Sequence, residues 1–205
     1  MNTASASPLA PAFADPVLET QAVFRCLLSA FASPGSRHDL PIALAAPDGL
    51  NMAAYAALLC LVDHQTPVWL DRDSDHAQSR DALRFHTGCR FTTDRADARF
   101  ALLAAGPGMA ELRHFAQGSP AFPDRSATVI LMVAGFEADV EVWLSGPGLA
   151  APRALAVSPC DRAFWQAVDA NHQSFPCGVD LVFTCGASLV ALPRSTRIDW
   201  DVPCT

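Results

Sequence analysis

Between Ala127 and Ala134 the chain reads ATVILMVA, a run of eight residues with one hydroxyl and no charge. That is too short for an ordinary core helix, and its β-branched side chains favour extended backbone, so the run predicts a fully buried strand. A strand without polar alternation belongs inside a sheet covered from both sides. The rest of the sequence has to supply its neighbours and its covers.

Neighbours are readable. Arg99 to Ala104 is a second buried strand, and Thr66 to Leu70 (TPVWL) a third, with its proline at the start, where a missing N–H matters least. Phe91 opens a short extended piece. Val140, Val142 and Leu144 alternate with Glu141 and Trp143, so 139–145 predicts a strand paired beside the 127–134 run. Val179 to Cys185 and Leu189 to Leu192 flank the tight Gly186-Ala187-Ser188 turn and form a hairpin.

Covers are readable too. Asp15 is a good N-cap and Pro16 suits a first turn; Phe24, Leu27, Leu28 and Phe31 then recur at helical spacing on one apolar face, until Ser33-Pro34-Gly35 stops the helix. Met52, Tyr55, Leu58, Leu59 and Val62 mark a second helix over 51–62. A weaker one over 74–86 ends at Gly88, and Gly106-Pro107-Gly108 leads into a short one over 109–117. Ser158 is placed to cap a further helix, with Pro159 and Asp161 in its first turn and Phe164, Trp165 and Val168 on its apolar face. Helices and strands alternate early and hairpins dominate late. The expected fold class is therefore α/β: one domain over 15–205, a mixed sheet with helices on both faces. Residues 1–14, mostly Ala, Ser, Pro and Thr, predict a flexible N-terminal arm, a frayed leader or docking arm that is not part of the core.

Charge narrows the function classes. All 14 cationic side chains are arginines, and the absence of lysine excludes a pyridoxal Schiff base, a Schiff-base aldolase and a phosphate-loop lysine. With 21 acidic residues the net charge is -7, which argues against a nucleic-acid or anionic-membrane surface. A hydrophobic share of 51% is too high for disorder. No stretch of about 18 apolar residues predicts a membrane span, and MNTASASPLAPAF lacks the features of a secretory signal, so a cytoplasmic protein with reduced thiols is expected.

Few motifs carry chemistry. Gly146-Pro147-Gly148-Leu149-Ala150-Ala151 matches the spacing of a dinucleotide loop, but Pro152 hinders the helix that should follow, so a strand-ending turn is the better reading. Asp71, Asp73 and Asp75 imitate the start of a calcium loop, yet His76 and Ala82 stand where glycine and a bidentate glutamate are needed. The six histidines never come close enough in sequence for a helical metal pair. The seven cysteines form no CxxC, so no metal site and no cofactor are expected. Cys177, with His172 as its nearest possible base, is the thiol to test first, although a small residue in a tight turn explains it as well. The most suggestive pattern is arginine at element ends: Arg84 with His86, and Arg194 with Arg197 beside Ser195 and Thr196. Guanidinium forks bind phosphate or carboxylate bidentately, so these four residues are a candidate anion site; the competing reading is that they form salt bridges inside the fold or at an interface.

Six segments in order, FRCLLSAFASPG (24–35), TPVWL (66–70), LRFHTG (83–88), ATVILMV (127–133), LSGPGL (144–149) and FPCGVDLVFTCGASLVALPRST (175–196), resemble the PhnH subunit family of the bacterial carbon-phosphorus lyase system. The resemblance implies a three-layer α/β/α domain similar in outline to pyridoxal-phosphate (PLP) transferases but without PLP. It implies partners, the G, I and J subunits of a core complex, and a homodimer when isolated. It also implies an accessory role, not catalytic alone, in forming α-D-ribose 1-methylphosphonate 5-triphosphate from ATP and methylphosphonate with release of adenine. No catalytic residue is carried over with it. The alternative is a phosphonate- or nucleotide-binding subunit or enzyme whose own site is built from the arginines.

Overall fold

The computed structural model describes residues 9–200. The chain enters through α1 (Pro16–Ala32), β1 (Arg37–Asp39) and α2 (Met52–Leu61), then alternates β2 (Pro67–Leu70), α3 (Ala77–Thr87), β3 (Arg90–Phe91) and β4 (Phe100–Ala104). Two short 3-10 turns, Pro107–Ala110 and Leu112–His114, lead to a hairpin of β5 (Gln117–Ser119) and β6 (Phe122–Ser126). The remainder is β7 (Thr128–Met132), β8 (Glu141–Ser145), β9 (Arg153–Ala156), α4 (Arg162–Gln173), β10 (Asp180–Cys185), β11 (Ser188–Leu192) and β12 (Arg197–Asp199).

Seven strands form one sheet in the order β1-β11-β10-β7-β4-β2-β3. β10, β7, β4, β2 and β3 run parallel, while β11 is antiparallel to β10 and to β1, so the sheet is mixed. The apolar run supplies β7, the central strand. Its side chains alternate between two cores: Ile130 joins Leu102, Val182, Ala191 and the buried faces of α1, α2 and α3, whereas Val129 and Leu131 join Phe183, Phe164, Trp165, Val142 and Leu144. The first cover is helical; the second combines α4 with a three-stranded sheet, β12-β8-β9.

Local chemistry fixes the helix ends. Asp15 caps α1 by accepting from the Val17 and Leu18 amides at 3.0 Å each. Asn51 caps α2 with its side-chain oxygen and donates its amide to the Thr184 carbonyl at 3.0 Å, tying the helix to the end of β10. α2 is apolar all round and buried from Ala53 to Leu58, as expected of a helix held between a sheet and other helices. Gly88 ends α3 in the left-handed conformation. Gly148 has φ +84°, and a Cβ there would stand 2.4 Å from the Ala32 carbonyl oxygen, so the β8–β9 turn can lie against the end of α1 only as glycine.

Five expectations are corrected. The 139–145 strand exists as β8, but its partners are β9 and β12, not β7. The 109–117 helix is absent; two 3-10 turns and β5 occupy it. α4 starts at Arg162 and is capped by Asp161, which accepts from the Phe164 amide at 2.8 Å, while Ser158 bridges to Gly135. The apolar face read on α1 is divided: Leu27 enters the core with Val23 and Ala30, but Phe24 and Leu28 point outward, 49% and 58% exposed. The arm expected over 1–14 lies outside the described residues as far as residue 8. From there it is docked, with Ala10 and Phe13 buried against the first core and the Ala10 carbonyl accepting from His86 Nε2 at 2.9 Å.

Candidate functional site

One register row locates the candidate anion residues. Asp180, Thr128, Phe100, Val68 and Phe91 are aligned across β10, β7, β4, β2 and β3, near the N-terminal ends of these strands. Arg194 binds Asp180 at one end of this row, and Arg84 stacks over Phe91 at the other, with its guanidinium carbon 5.6 Å from the ring centre. Four strand spacings separate those two anchors, roughly 19 Å. The four residues therefore do not converge on one ligand within the chain.

Their individual settings differ. Arg194 is consumed by the fold: its amide and Nε donate to Asp180 Oδ1 at 2.9 and 3.1 Å, Nη2 meets Oδ2, and Nη1 donates to the Pro123 carbonyl at 2.8 Å. Its carbonyl accepts from His172 Nδ1 at 3.1 Å. This is the salt-bridge reading of the motif, a fork closing the β10–β11 hairpin onto β6. The predicted hairpin carried the signal, because its register sets Leu192 opposite Leu181 and so brings Asp180 beside the residues after β11. His86 is tied to the docked arm. Arg84 and Arg197 are exposed and have no hydrogen-bond or ion-pair partner among the described residues.

Other motifs resolve into structure. Gly146 to Ala151 is the turn between β8 and β9, with no helix behind it. Asp71 accepts from the Ser74 amide at 2.8 Å and the Ala104 amide at 2.7 Å, stitching the end of β2 to that of β4, while Asp75 pairs with Arg80. No group of three or more metal-ligating side chains occurs among the described residues. Cys177 lies in the turn after α4, its amide donating to the Ser174 carbonyl at 2.9 Å, and His172 is engaged with Arg194 instead. Burial pushes the Cys60 thiol up to about 11 and the Cys160 thiol to about 12, the latter helped by Asp161, so neither is a ready nucleophile near neutral pH.

The sequence reading missed a Ser–His contact. Ser36 Oγ lies 2.8 Å from His38 Nε2, but the hydroxyl also lies 2.6 Å from the Ser33 carbonyl, which can only accept. The single hydroxyl proton goes to that carbonyl, so His38 donates and is not placed as a base.

In open α/β sheets ligands favour the crevice beyond the strand C-termini. Two adjoining cavities lie on that side, about 410 and 420 Å³. They share Pro159 and Asp161; one is completed by Gly106, Met109 and Phe164, the other by Glu137 and Asp139. The nearby Arg162 stacks over Trp200, 4.6 Å from the ring centre. Three carboxylates make this crevice a poor seat for a phosphate. The N-termini of α2 and α4 are likewise capped from within, by Asn51 and Asp161.

Fold and site thus define a mixed α/β domain in which Arg194, Arg153 and Asp71 serve to close the structure. Comparison with known proteins is more specific. Residues 11–199 match the model of the family described as bacterial phosphonate metabolism protein (PhnH). The chain is 36% identical over 197 residues to the α-D-ribose 1-methylphosphonate 5-triphosphate synthase subunit PhnH of Rhizobium meliloti (strain 1021), covering 96% of this chain and 98% of that one. It is 35% identical over 179 residues to the putative C-P lyase subunit protein HtxG of Stutzerimonas stutzeri, covering 87% and 85%. The chain belongs to the PhnH family.

Proposed function

We propose that this chain is the accessory PhnH subunit of a carbon-phosphorus lyase core complex, supporting formation of α-D-ribose 1-methylphosphonate 5-triphosphate from ATP and methylphosphonate with release of adenine. The observation that carries this reading is the near end-to-end similarity to a synthase subunit of that name. The geometry supports an accessory role: Arg194 and His86 are spent inside the fold, and the strand-end crevice is lined by carboxylates. With this reading go a cytoplasmic location, partnership with G, I and J subunits, self-association in isolation, and a three-layer outline akin to PLP transferases without the cofactor. The lack of lysine agrees with that last point.

The test is reconstitution. Adenine release from ATP and methylphosphonate is measured with the G, I and J subunits, with and without this chain, and with this chain alone. Release should need the partners and fall when this chain is left out. Turnover by the isolated chain at the rate of the full complex would sink the accessory reading.

A second reading, anion capture, is favoured by the exposed guanidinium groups of Arg84 and Arg197, which have no hydrogen-bond or ion-pair partner among the described residues. Titration calorimetry with ATP and with methylphosphonate, on the wild type and on Arg84→Ala and Arg197→Ala variants, checks it. Binding that neither substitution weakens removes those residues from the site.

A further inference from the structure

Val17, Gln21, Phe24, Leu28 and Phe31 succeed one another at spacings of 4, 3, 4 and 3 along α1, the repeat of a helix-pairing seam. Phe31 packs partly against the first core, but among the described residues nothing covers the rest of it. Val17, Phe24 and Leu28 are 77%, 49% and 58% exposed, and Leu18 beside them is 63% exposed, while the opposite stripe of Val23, Leu27 and Ala30 is buried. The four apolar side chains present on the order of 400 Å², in the range of the largest apolar patch on a typical monomer, and such patches mark interaction sites. The seam also runs into a groove. Phe24, Leu27, Leu28 and Phe31 form one wall of a cavity of about 330 Å³ that Leu61 and Phe100 complete, with Thr128 and Asp180 at its polar side.

We propose that the α1 seam and this groove dock an amphipathic helix of another subunit of the complex, one whose flank carries a carboxylate facing Arg25. The proposal rests on the subunit reading given above. Arg25 is the exposed cation flanking the seam, one position after Phe24, and it has no hydrogen-bond or ion-pair partner among the described residues. A second copy of the chain does not satisfy it. Antiparallel pairing of two α1 seams brings the two Arg25 side chains to the same flank, and parallel pairing sets Arg25 opposite Thr20. The nearest acid of α1, Glu19, is turned to the Ala14 amide, which it accepts at 2.8 Å. A foreign carboxylate fits the charge where a twofold copy does not.

The experiment uses the full chain co-expressed with G, I and J subunits. Retention in the complex is measured by size exclusion with light scattering, and affinity by titrating the purified chain onto the complex of the other three. The Phe24→Glu/Leu28→Glu variant should bind about thirtyfold or more weakly. Arg25→Glu should bind about fivefold more weakly, a loss that shrinks in high salt. Phe122→Glu, at an equally exposed phenylalanine on β6, should bind like the wild type. Because all substituted side chains are exposed, circular dichroism should match the wild type and melting should stay close to it. The chain has no lysine for amine-reactive reagents, so contact is mapped with a photoactivated residue in place of Leu28. Cross-linking to an acid-flanked apolar helix of another subunit is expected. Cross-linking to a second copy, or full retention of the doubly substituted variant, would overturn the proposal and leave the subunit reading standing. A wild-type chain that joins no complex with these subunits would overturn both.

Discussion

The two covers of the central sheet are closed by different means. On one side α1, α2 and α3 lie over the sheet through apolar side chains, with α2 buried all round from Ala53 to Leu58. On the other, short turns and small strands are held by side-chain clamps. Arg194 grips Asp180 and the Pro123 carbonyl, Arg95 pairs with Glu111 and stacks over Trp69, and Asn171 exchanges two hydrogen bonds with the backbone of Val179. Arg153, from β9, reaches round to the Ser33 and Pro34 carbonyls at 3.1 and 2.7 Å. Irregular backbone has many groups to satisfy, and arginine, with five donors, satisfies several at once. Helices satisfy their own. The helical cover therefore leaves cations such as Arg25 and Arg84 outside, together with an apolar seam.

The largest effect that can break this comparison is a pair of truncations. Trp165 on α4 is fully buried against Phe164 and Phe183, so Trp165→Ala should cost about 3–5 kcal/mol in urea unfolding. Phe24→Ala on α1 should cost only about 1 kcal/mol, because 49% of its surface already faces water in the isolated chain. Similar losses at both sites would mean that the α1 seam is covered. Next comes the clamp. Arg194→Ala strands the largely shielded Asp180 carboxylate and frees the Pro123 carbonyl, which should cost roughly 2–3 kcal/mol and lower Tm by several degrees. Arg84→Ala, on the helical cover, should be close to neutral in stability.

The same contrast explains what was legible in the sequence. The central strand, the β10–β11 hairpin and the apolar face of α4 carry local signals, a period or a turn residue, and each stands where the sequence places it. Of the two partners of β8, β9 follows across the next turn, but β12 is not local: it lies some fifty residues later, with Ser145 opposite Arg197, and only the packed structure decides these pairings over one with β7. Strands of three residues such as β1 and β5 are too short to show alternation. On α1 the spacing correctly announced a helix, but Phe24 and Leu27 look equally apolar in sequence. Which of them faces inward depends on the small Ala30 and Val23 stripe that lets α1 approach α2 and β11. For the candidate site, the four arginine and histidine positions were legible as residues, not as partners. Arg194 was answerable from hairpin register, whereas the fate of His86 depended on an arm with no pattern at all.

Smaller effects sharpen the comparison at helix starts. Asp161→Ala should cost about 1 kcal/mol through loss of the bond to the Phe164 amide, and Asp15→Ala a similar amount on α1. Ser158→Ala should be nearly silent, since Ser158 contributes its backbone to the bridge with Gly135 and is not the cap. A loss at Ser158 as large as that at Asp161 would restore the cap expected from sequence.

The smallest effect is in alkaline solution. Cys160 sits in the second core and Cys60 at the end of α2, with thiols raised by burial to about 12 and about 11 from 9.0. Between the unfolded and folded values the unfolded chain releases the proton and the native state keeps it, so stability is intact below about pH 9 and falls as pH rises through that window. For Cys160 the loss from pH 8 to 9.5 should be just under about 1 kcal/mol. Cys160→Ala changes packing at every pH, so the informative quantity is the slope of stability against pH, which that substitution should flatten. Cys60→Ala should flatten it less, because that thiol is only partly buried and donates to the Thr20 carbonyl from a more open position. Equal flattening would place the two thiols in equally closed surroundings and remove the difference in tightness between the covers at these points.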